Sequence, residues 1–212
     1  MKPKQGVSQK DQRTMNDSTR RGMCIIAEGF VMALPKNLAV IGGTAIAYFL
    51  VYEINAYLFS SLAYARDVYW VFLPSGLQLA FILVFVEQGA IGIALATTLL
   101  GFLYQPNADL SIIVGTGFLA GFAPWLARLI CIDKLRLDEN LKNLTSTSLL
   151  AIALVFSLLP PVLLQLLYSC CGLSNDFVVT TAVMFTGALI GTFAMLYLAK
   201  AALHLYSFGS QS

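Results

Sequence analysis

Six long apolar stretches dominate this chain and constrain its fold more than any other feature. A helix needs roughly 20 mainly apolar residues to cross a bilayer core. Suitable stretches lie at about 37–60, 69–87, 89–105, 110–130, 147–168 and 177–199. Charged residues make up only 11% of the 212 residues, against about 25% in an ordinary soluble domain. The sequence therefore predicts an all-α, polytopic helical membrane protein with about six transmembrane helices.

The positions of the basic residues predict the orientation of these helices. If the chain crosses the membrane at all six stretches, 12 of its 13 Lys and Arg residues fall on one side, and Arg66 is the exception. Because cytoplasmic loops carry the excess of Lys and Arg, both termini are expected to be cytoplasmic. The first 21 residues lack the apolar core of a cleavable signal peptide. The expected location is the bacterial cytoplasmic (inner) membrane.

Composition divides the chain into four segments. These are a polar cytoplasmic tail at 1–21, an interfacial amphipathic segment at 22–36, a transmembrane helical bundle at 37–206 and a short C-terminal tail at 207–212. The second segment is apolar but too short to span, so it either lies on the inner leaflet or docks on a partner. The connection at 131–146 alternates charged and apolar residues, which predicts a short surface helix.

Glu53 is the most informative single residue of the first apolar stretch. An ionisable side chain inside a membrane is costly and is a functional candidate by default. Glu53 lies roughly 10 Å from the outer end of the stretch at 1.5 Å per residue. It is expected either to pair with Arg66 or to form a proton or ligand site. Its carboxylate should meet Arg66, a tyrosine hydroxyl such as Tyr69, or backbone near Pro74.

A second candidate site is Pro74-Ser75-Gly76 in the second stretch. Proline removes one helix hydrogen bond and glycine permits unusual backbone angles, which predicts a break or wide kink. Backbone groups exposed there could bind a ligand inside the bundle. Ser75 and Gln78 would add a hydroxyl and an amide. The alternative is a kink or a helix start that only shapes packing.

Two glycine pairs predict close helix packing. Gly117 and Gly121, like Gly187 and Gly191, are spaced four residues apart, which lets helix backbones approach closely. Contacts inside the bundle are favoured over dimerisation. The Pro160-Pro161 pair in the fifth stretch is interpreted as a kink.

The near-absence of histidine argues against an enzyme. His204 is the only histidine, so bis-histidine haem ligation within the chain is excluded, and neither a histidine metal cluster nor a Ser-His-Asp triad is expected. No cofactor, metal or nucleic-acid partner is predicted. Cys170 and Cys171 are interpreted as small buried apolar residues, or alternatively as residues with an intermolecular or redox role.

Two segments resemble the first type of membrane-associated sensor domain, the MASE type. Residues 72–77 (Phe-Leu-Pro-Ser-Gly-Leu) resemble its aromatic-Pro-Pro-small-Gly signature, with Leu73 at the first proline. Residues 184–191 resemble its Gly-Asp-x-x-Gly element, with Ala188 at the acidic position. The resemblance covers about 38–206 and implies a multi-span sensory module. Members of that family usually have more spans. They also carry an output domain, and no output domain is expected after the last residue of this chain.

Together these features predict a non-enzymatic inner-membrane protein that acts through partner proteins, as a stand-alone sensor or as an accessory or scaffold subunit of a membrane complex. The alternative is the substrate-binding membrane subunit of a small-solute importer for a vitamin or metal. A broken helix and Glu53 would then form the solute site. The expected partners are the lipid bilayer and a membrane protein or larger complex, with a small-molecule ligand as a further candidate.

Overall fold

In a computed structural model the chain is largely helical. The structure describes residues 36–65, 68–135, 146–173 and 176–209. The six helices are α1 (Lys36–Leu58), α2 (Pro74–Phe85), α3 (Glu87–Tyr104), α4 (Leu110–Leu135), α5 (Ser146–Cys170) and α6 (Phe177–Gly209). The predicted helical class is confirmed. The predicted tail, the interfacial segment before Lys36 and most of the predicted surface helix after α4 lie outside the described residues.

Four of these helices are long and apolar enough to cross a membrane. They are Lys36–Leu58, Leu110–Ile132, Leu150–Cys170 and Phe177–Leu198, with mean hydropathies between 1.5 and 2.3. Large apolar side chains such as Ile46, Leu50, Phe118 and Leu158 remain exposed on their outer faces. Lipid tails solvate such side chains as well as a protein core does. The chain is therefore a helical membrane protein.

The predicted second span, 69–87, is not one helix. Residues 70–73 are non-helical, and α2 begins at Pro74. Proline suits the first helical turn because its missing N–H would have no helical partner there. The break therefore lies before Pro74, and the wide kink expected within a longer helix is absent from this part of the described chain. With 12 residues, α2 is about 18 Å long, shorter than the roughly 30 Å bilayer core.

A small sheet that the apolar pattern did not predict precedes this non-helical segment. A short 3₁₀ turn at Ser60–Leu62 leads into β1 (Ala63–Ala65), which pairs antiparallel with β2 (Val68–Tyr69). Residues of this hairpin line an open space, called the vestibule below, together with the turn 105–109 and the connection after α5. We call this part of the molecule the hairpin end of the bundle.

The apolar core fills the half of the bundle away from the hairpin end. Leu79 and Ile82 of α2, Ile93 of α3, Ala127 of α4 and Ile152 of α5 each have no exposed surface. Their side chains form one continuous cluster. Close packing of this kind leaves few voids larger than a water molecule.

The ends of α5 and α6 differ from expectation. Cys170 and Cys171 are exposed and not disulfide-bonded, so their interpretation as buried apolar residues is wrong. They lie where α5 ends and the chain turns, at a position with few neighbours. The last helix continues to Gly209, beyond the predicted end of the bundle at 206.

Candidate functional site

The two segments that carry the family resemblance pack directly against each other. A Cβ atom on Gly187 would collide with the carbonyl of Tyr69, and one on Gly191 with the carbonyl of Phe72. These glycines let the non-helical segment that precedes α2 lie on the surface of α6. The Phe72 N–H donates to the Gly187 carbonyl oxygen at 3.0 Å. Gly187 and Gly191 of α6 thus contact the backbone of a non-helical segment, and not another helix.

Asn55 of α1 completes the hydrogen bonding of this non-helical segment. Its Oδ1 accepts a hydrogen bond from the Leu73 N–H at 2.9 Å, and its side chain is 1% exposed. Non-helical backbone at membrane depth is tolerated only where protein or water satisfies its polar groups. The sequence patterns did not indicate this role for Asn55. Its one signal was an amide in an apolar stretch, two residues after Glu53.

Ser75 joins the start of α2 to α6. Its Oγ lies 2.7 Å from the carbonyl oxygens of both Phe72 and Ala188, and the Thr192 hydroxyl donates to it at 3.2 Å. A hydroxyl has one proton to donate, so Ser75 is fully engaged within the protein. A Cβ on Gly76 would collide with the Met195 side chain. The structure therefore gives Ser75 and Gly76 a packing role between α2 and α6. Ser75 also lines the cavity described next, so its expected part in ligand binding stays a prediction.

A cavity of about 140 Å³ lies beside this packed segment, in the half of the bundle nearer the hairpin end. All six helices contribute to its wall. Its aromatic lining is Tyr48, Tyr52, Tyr69, Phe72, Tyr104, Phe156 and Tyr168. Its polar side chains besides the tyrosines are Ser75, Gln78, Thr97, Gln105 and Thr116. None of the described residues that line it carries a formal charge.

Gln78 and Tyr48 form a buried polar pair in the cavity wall. The Gln78 Nε2 donates to the Tyr48 Oη at 3.1 Å, and the two side chains are 8% and 3% exposed. This bond uses one of the two amide N–H donors of Gln78, whose amide also carries an acceptor oxygen. The structure therefore brings Gln78, which the sequence singled out, into contact with the cavity. Tyr48 had no sequence signal, because tyrosine is frequent in membrane helices near an interface.

The proline pair of α5 also lines the cavity. Pro160 and Pro161 lie inside the continuous helix and form part of the wall. Because Pro160 has no N–H, the carbonyl of Phe156, four residues earlier, loses its helical donor. Phe156 is itself a lining residue. The proline pair thus frees a backbone carbonyl at a residue that lines the cavity.

The cavity lies next to a wider vestibule at the hairpin end. Tyr104, Gln105 and Tyr168 line both spaces. The vestibule has a volume of about 820 Å³, and its wall includes the acidic residues Asp109 and Asp176. The apolar core described above fills the opposite side of the bundle.

Glu53 lies close to the junction of cavity and vestibule without lining either space. Its Oε1 accepts a hydrogen bond from the Tyr104 Oη at 2.6 Å. A tyrosine hydroxyl was among the expected partners, and it belongs to Tyr104 instead of Tyr69. Arg66, the other expected partner, lies outside the described residues. The bond links α1 to the end of α3.

We expect Tyr104→Phe to lower the melting temperature by less than about 3 °C, because the hydrogen bond is exposed and exposed polar contacts contribute little. Glu53→Gln should change it even less, since the amide keeps an acceptor oxygen. Thermal unfolding in detergent micelles measures both. A fall of 10 °C or more for Glu53→Gln would mean that its charge has a stronger partner than Tyr104.

The other glycine pair lies between α3 and α4. A Cβ on Gly117 would collide with the Thr98 hydroxyl, and one on Gly121 with the carbonyl of Ala90. These residues therefore bring two helix backbones close together inside the bundle. Their role is to fix the α3–α4 wall from which Thr97 and Thr116 line the cavity.

Comparison with models of known protein families, with curated proteins and with solved structures finds no match. The resemblance to MASE-type sensors remains a hypothesis based on residues 72–77 and 184–191. The geometry adds one fact to it. The two resembling segments are in direct contact, through the hydrogen bond from Ser75 to the Ala188 carbonyl.

Proposed function

We propose that this protein is a non-enzymatic sensory module of the bacterial inner membrane, which binds a small molecule in its cavity and acts through a partner protein. One observation carries the proposal. A polar and aromatic cavity lies in the bundle and shares three lining residues with a vestibule at one end, while a packed core lies on its other side. Small-molecule sites are typically concave, mostly apolar and provided with a few convergent polar groups.

The chemistry of the wall favours binding over catalysis. The described lining residues offer hydroxyl, amide and aromatic groups. General acid–base catalysis typically uses histidine, carboxylate, lysine, tyrosine or cysteine side chains placed against the substrate, and of these the described lining residues offer only tyrosines. The wall has a tyrosine-rich composition suited to holding a neutral molecule. The packed core on the far side favours a binding site over a continuous pathway.

A route from cavity to partner exists along the α2–α6 contact. The same segment that packs on Gly187 and Gly191 supplies Phe72, Ser75 and Gln78 to the cavity wall. A ligand that prefers one spacing of α2 and α6 would shift the population of that arrangement. Movement of α6 would then change the position of its far end, near Gly209. This supports a sensory role in which cavity occupancy reaches a bound partner.

The topology that fits this role has six crossings with both termini cytoplasmic. The non-helical residues 69–73 and α2 would cross the bilayer together, because α2 alone, at about 18 Å, is shorter than a bilayer core of roughly 30 Å. The hairpin end would face the periplasm, because the Lys and Arg excess lies on the other side.

Reporter fusions test this topology. Fusions after Gln105 and Leu173 are expected to report a periplasmic location, and fusions after Glu139 and Ser212 a cytoplasmic one. The reason is the 12-to-1 distribution of Lys and Arg. Alkaline phosphatase and fluorescent-protein fusions provide complementary readouts. A periplasmic C-terminus would contradict the six-crossing arrangement.

The sensory role is tested by crosslinking in native membranes followed by purification and mass spectrometry. Ala120 lines the cavity, and Ala120→Phe should fill it. Ala80 is exposed on α2, and Ala80→Phe is the matched control. A membrane protein should be recovered in equal amounts with wild type and Ala80→Phe, and in a changed amount with Ala120→Phe. Recovery of a lone monomer in all three would contradict the proposal.

A solute-importer subunit is the second candidate, and the vestibule at the hairpin end favours it. An importer subunit would also receive its solute from the periplasm through such an opening. The crosslinking experiment separates the two readings. An ATP-hydrolysing partner, together with loss of solute uptake in Ala120→Phe cells, would identify the importer.

A further inference from the structure

The cavity wall limits the charge of its ligand. Among the described lining residues no side chain carries a formal charge, and Glu53 lies outside the lining. An ion held there would lose hydration without gaining a counter-charge. Burial of an unpaired ion costs far more than burial of a hydrogen-bonded neutral group. The site therefore favours a neutral molecule.

The volume of the cavity limits the size of its ligand. Its volume is about 140 Å³. In another protein an engineered apolar cavity of about 150 Å³ binds benzene. A molecule with one six-membered ring and a small substituent matches this space. Larger fused-ring compounds would have to displace wall residues.

The aromatic side chains favour a flat ligand. Tyr52 contacts Phe72 edge-on, with ring centroids 6.3 Å apart, and lies 6.5 Å from the ring of Tyr104. All three line the cavity. Aromatic pairs gain energy from edge-to-face and offset-stacked geometries beyond the area that they bury. An aromatic ring in the cavity would extend this existing cluster.

Polar groups in the wall match an amide substituent. Gln78 carries an N–H donor and an acceptor oxygen beyond its bond to Tyr48. Phe156, which also lines the cavity, has a carbonyl that Pro160 leaves without a helical donor. A carboxamide has two N–H donors and one acceptor oxygen, so it can satisfy both kinds of group. A bare hydrocarbon would leave them unpaired, which is costly in a buried site.

We infer that the cavity binds a neutral single-ring aromatic molecule that carries a carboxamide or a similar paired donor and acceptor. This rests on the proposed function, because it names the ligand class of the same site. Gln78 and Tyr48 are the residues that select the polar substituent. Tyr52, Phe72 and Tyr104 contact the ring.

The test compares three probes that share one ring and differ in charge. They are benzamide, benzoate and benzylammonium. Binding to the full chain in lipid nanodiscs is measured by equilibrium dialysis, and empty nanodiscs correct for partition into lipid. Benzamide is expected to bind at least ten times more tightly than either ion. Its binding should vanish in Ala120→Phe and persist in the matched Ala80→Phe.

Two substitutions test the selecting pair. Gln78→Leu should weaken benzamide binding at least ten-fold, whereas Gln88→Leu, outside the cavity lining, should leave it unchanged. If Gln78→Leu lowers the melting temperature too far for measurement, Tyr48→Phe replaces it. That variant keeps the ring and removes the hydroxyl, and Tyr57→Phe on the exposed face of α1 is its control.

The outcomes separate this inference from the proposed function. Tighter binding of benzoate or benzylammonium, lost in Ala120→Phe, would overturn the neutral ligand class and leave a ligand-binding module. Absence of benzamide binding would likewise overturn the ligand class. The partner-crosslinking result does not depend on these probes, so a partner whose recovery changes with Ala120→Phe would still support the sensory role.

Discussion

Gly191→Ala is expected to cost the protein at least about 3 kcal/mol of stability, or roughly 6–12 °C in melting temperature for a chain of this size. The added Cβ would overlap the carbonyl of Phe72 and approach the Leu73 nitrogen. Both are backbone atoms of a segment held in place by hydrogen bonds to Gly187 and Asn55. The segment therefore cannot move aside without breaking bonds that a membrane interior does not replace.

Gly42→Ala and Gly43→Ala are the matched controls for this prediction. No described atom lies within 4 Å of a Cβ at either position of α1. Alanine exceeds glycine in helix propensity by about 1 kcal/mol, so these variants should be neutral or slightly stabilised. Thermal unfolding and yield of monodisperse protein in detergent measure all three. A Gly191→Ala protein as stable as the controls would show that the Phe72 backbone does not lie on α6.

The sequence predicted that Gly187 and Gly191 permit a close approach, but it could not identify what approaches. Small residues four apart accommodate any backbone, whether helical or extended. Here the neighbour is the non-helical chain at 69–73, since Pro74 cannot donate a helix hydrogen bond and α2 begins only there. Hydropathy is equal for an apolar residue in either conformation. The second apolar stretch was consequently predicted as one span.

For a related reason, only some of the residues that line the cavity could be predicted from the sequence. Gln78 stood out because an amide in an apolar stretch must find a partner. Tyr48, Tyr104 and Tyr168 come from three different helices, and each alone is an ordinary membrane-helix residue. Their convergence depends on how α1, α3 and α5 pack. The periodicity of residues along one helix does not indicate how that helix packs against the others.

Glu53 illustrates the limit of reasoning from charge alone. Because a carboxylate inside a membrane is costly, a polar partner was expected for Glu53, and the structure has one. This expectation did not identify Tyr104, whose position at the end of α3 is set by the close contact of α3 with α4 at Gly117 and Gly121. The partner of a polar residue is a property of the tertiary structure, whereas the need for one follows from the residue itself.

Ser75→Ala is expected to destabilise the bundle by about 2–3 kcal/mol, a fall of roughly 4–12 °C in melting temperature. The hydroxyl is buried and lies within hydrogen-bond distance of Phe72, Ala188 and Thr192. Its removal leaves the Ala188 carbonyl without that donor and the Thr192 hydroxyl without that acceptor. Water cannot replace them cheaply at this depth.

Ser157→Ala is the matched control, because it removes a hydroxyl that is buried at least as completely but has no hydrogen-bond partner among the described residues. Loss of a buried unsatisfied hydroxyl should leave the melting temperature unchanged or raise it slightly. Both variants delete one oxygen atom, so cavity formation contributes equally to each. The difference between their melting temperatures therefore measures the Ser75 hydrogen bonds themselves. Equal melting temperatures would mean that Ser75 does not hold α2 against α6. The proposed route from cavity to partner would then lack its stabilising contact at Ser75.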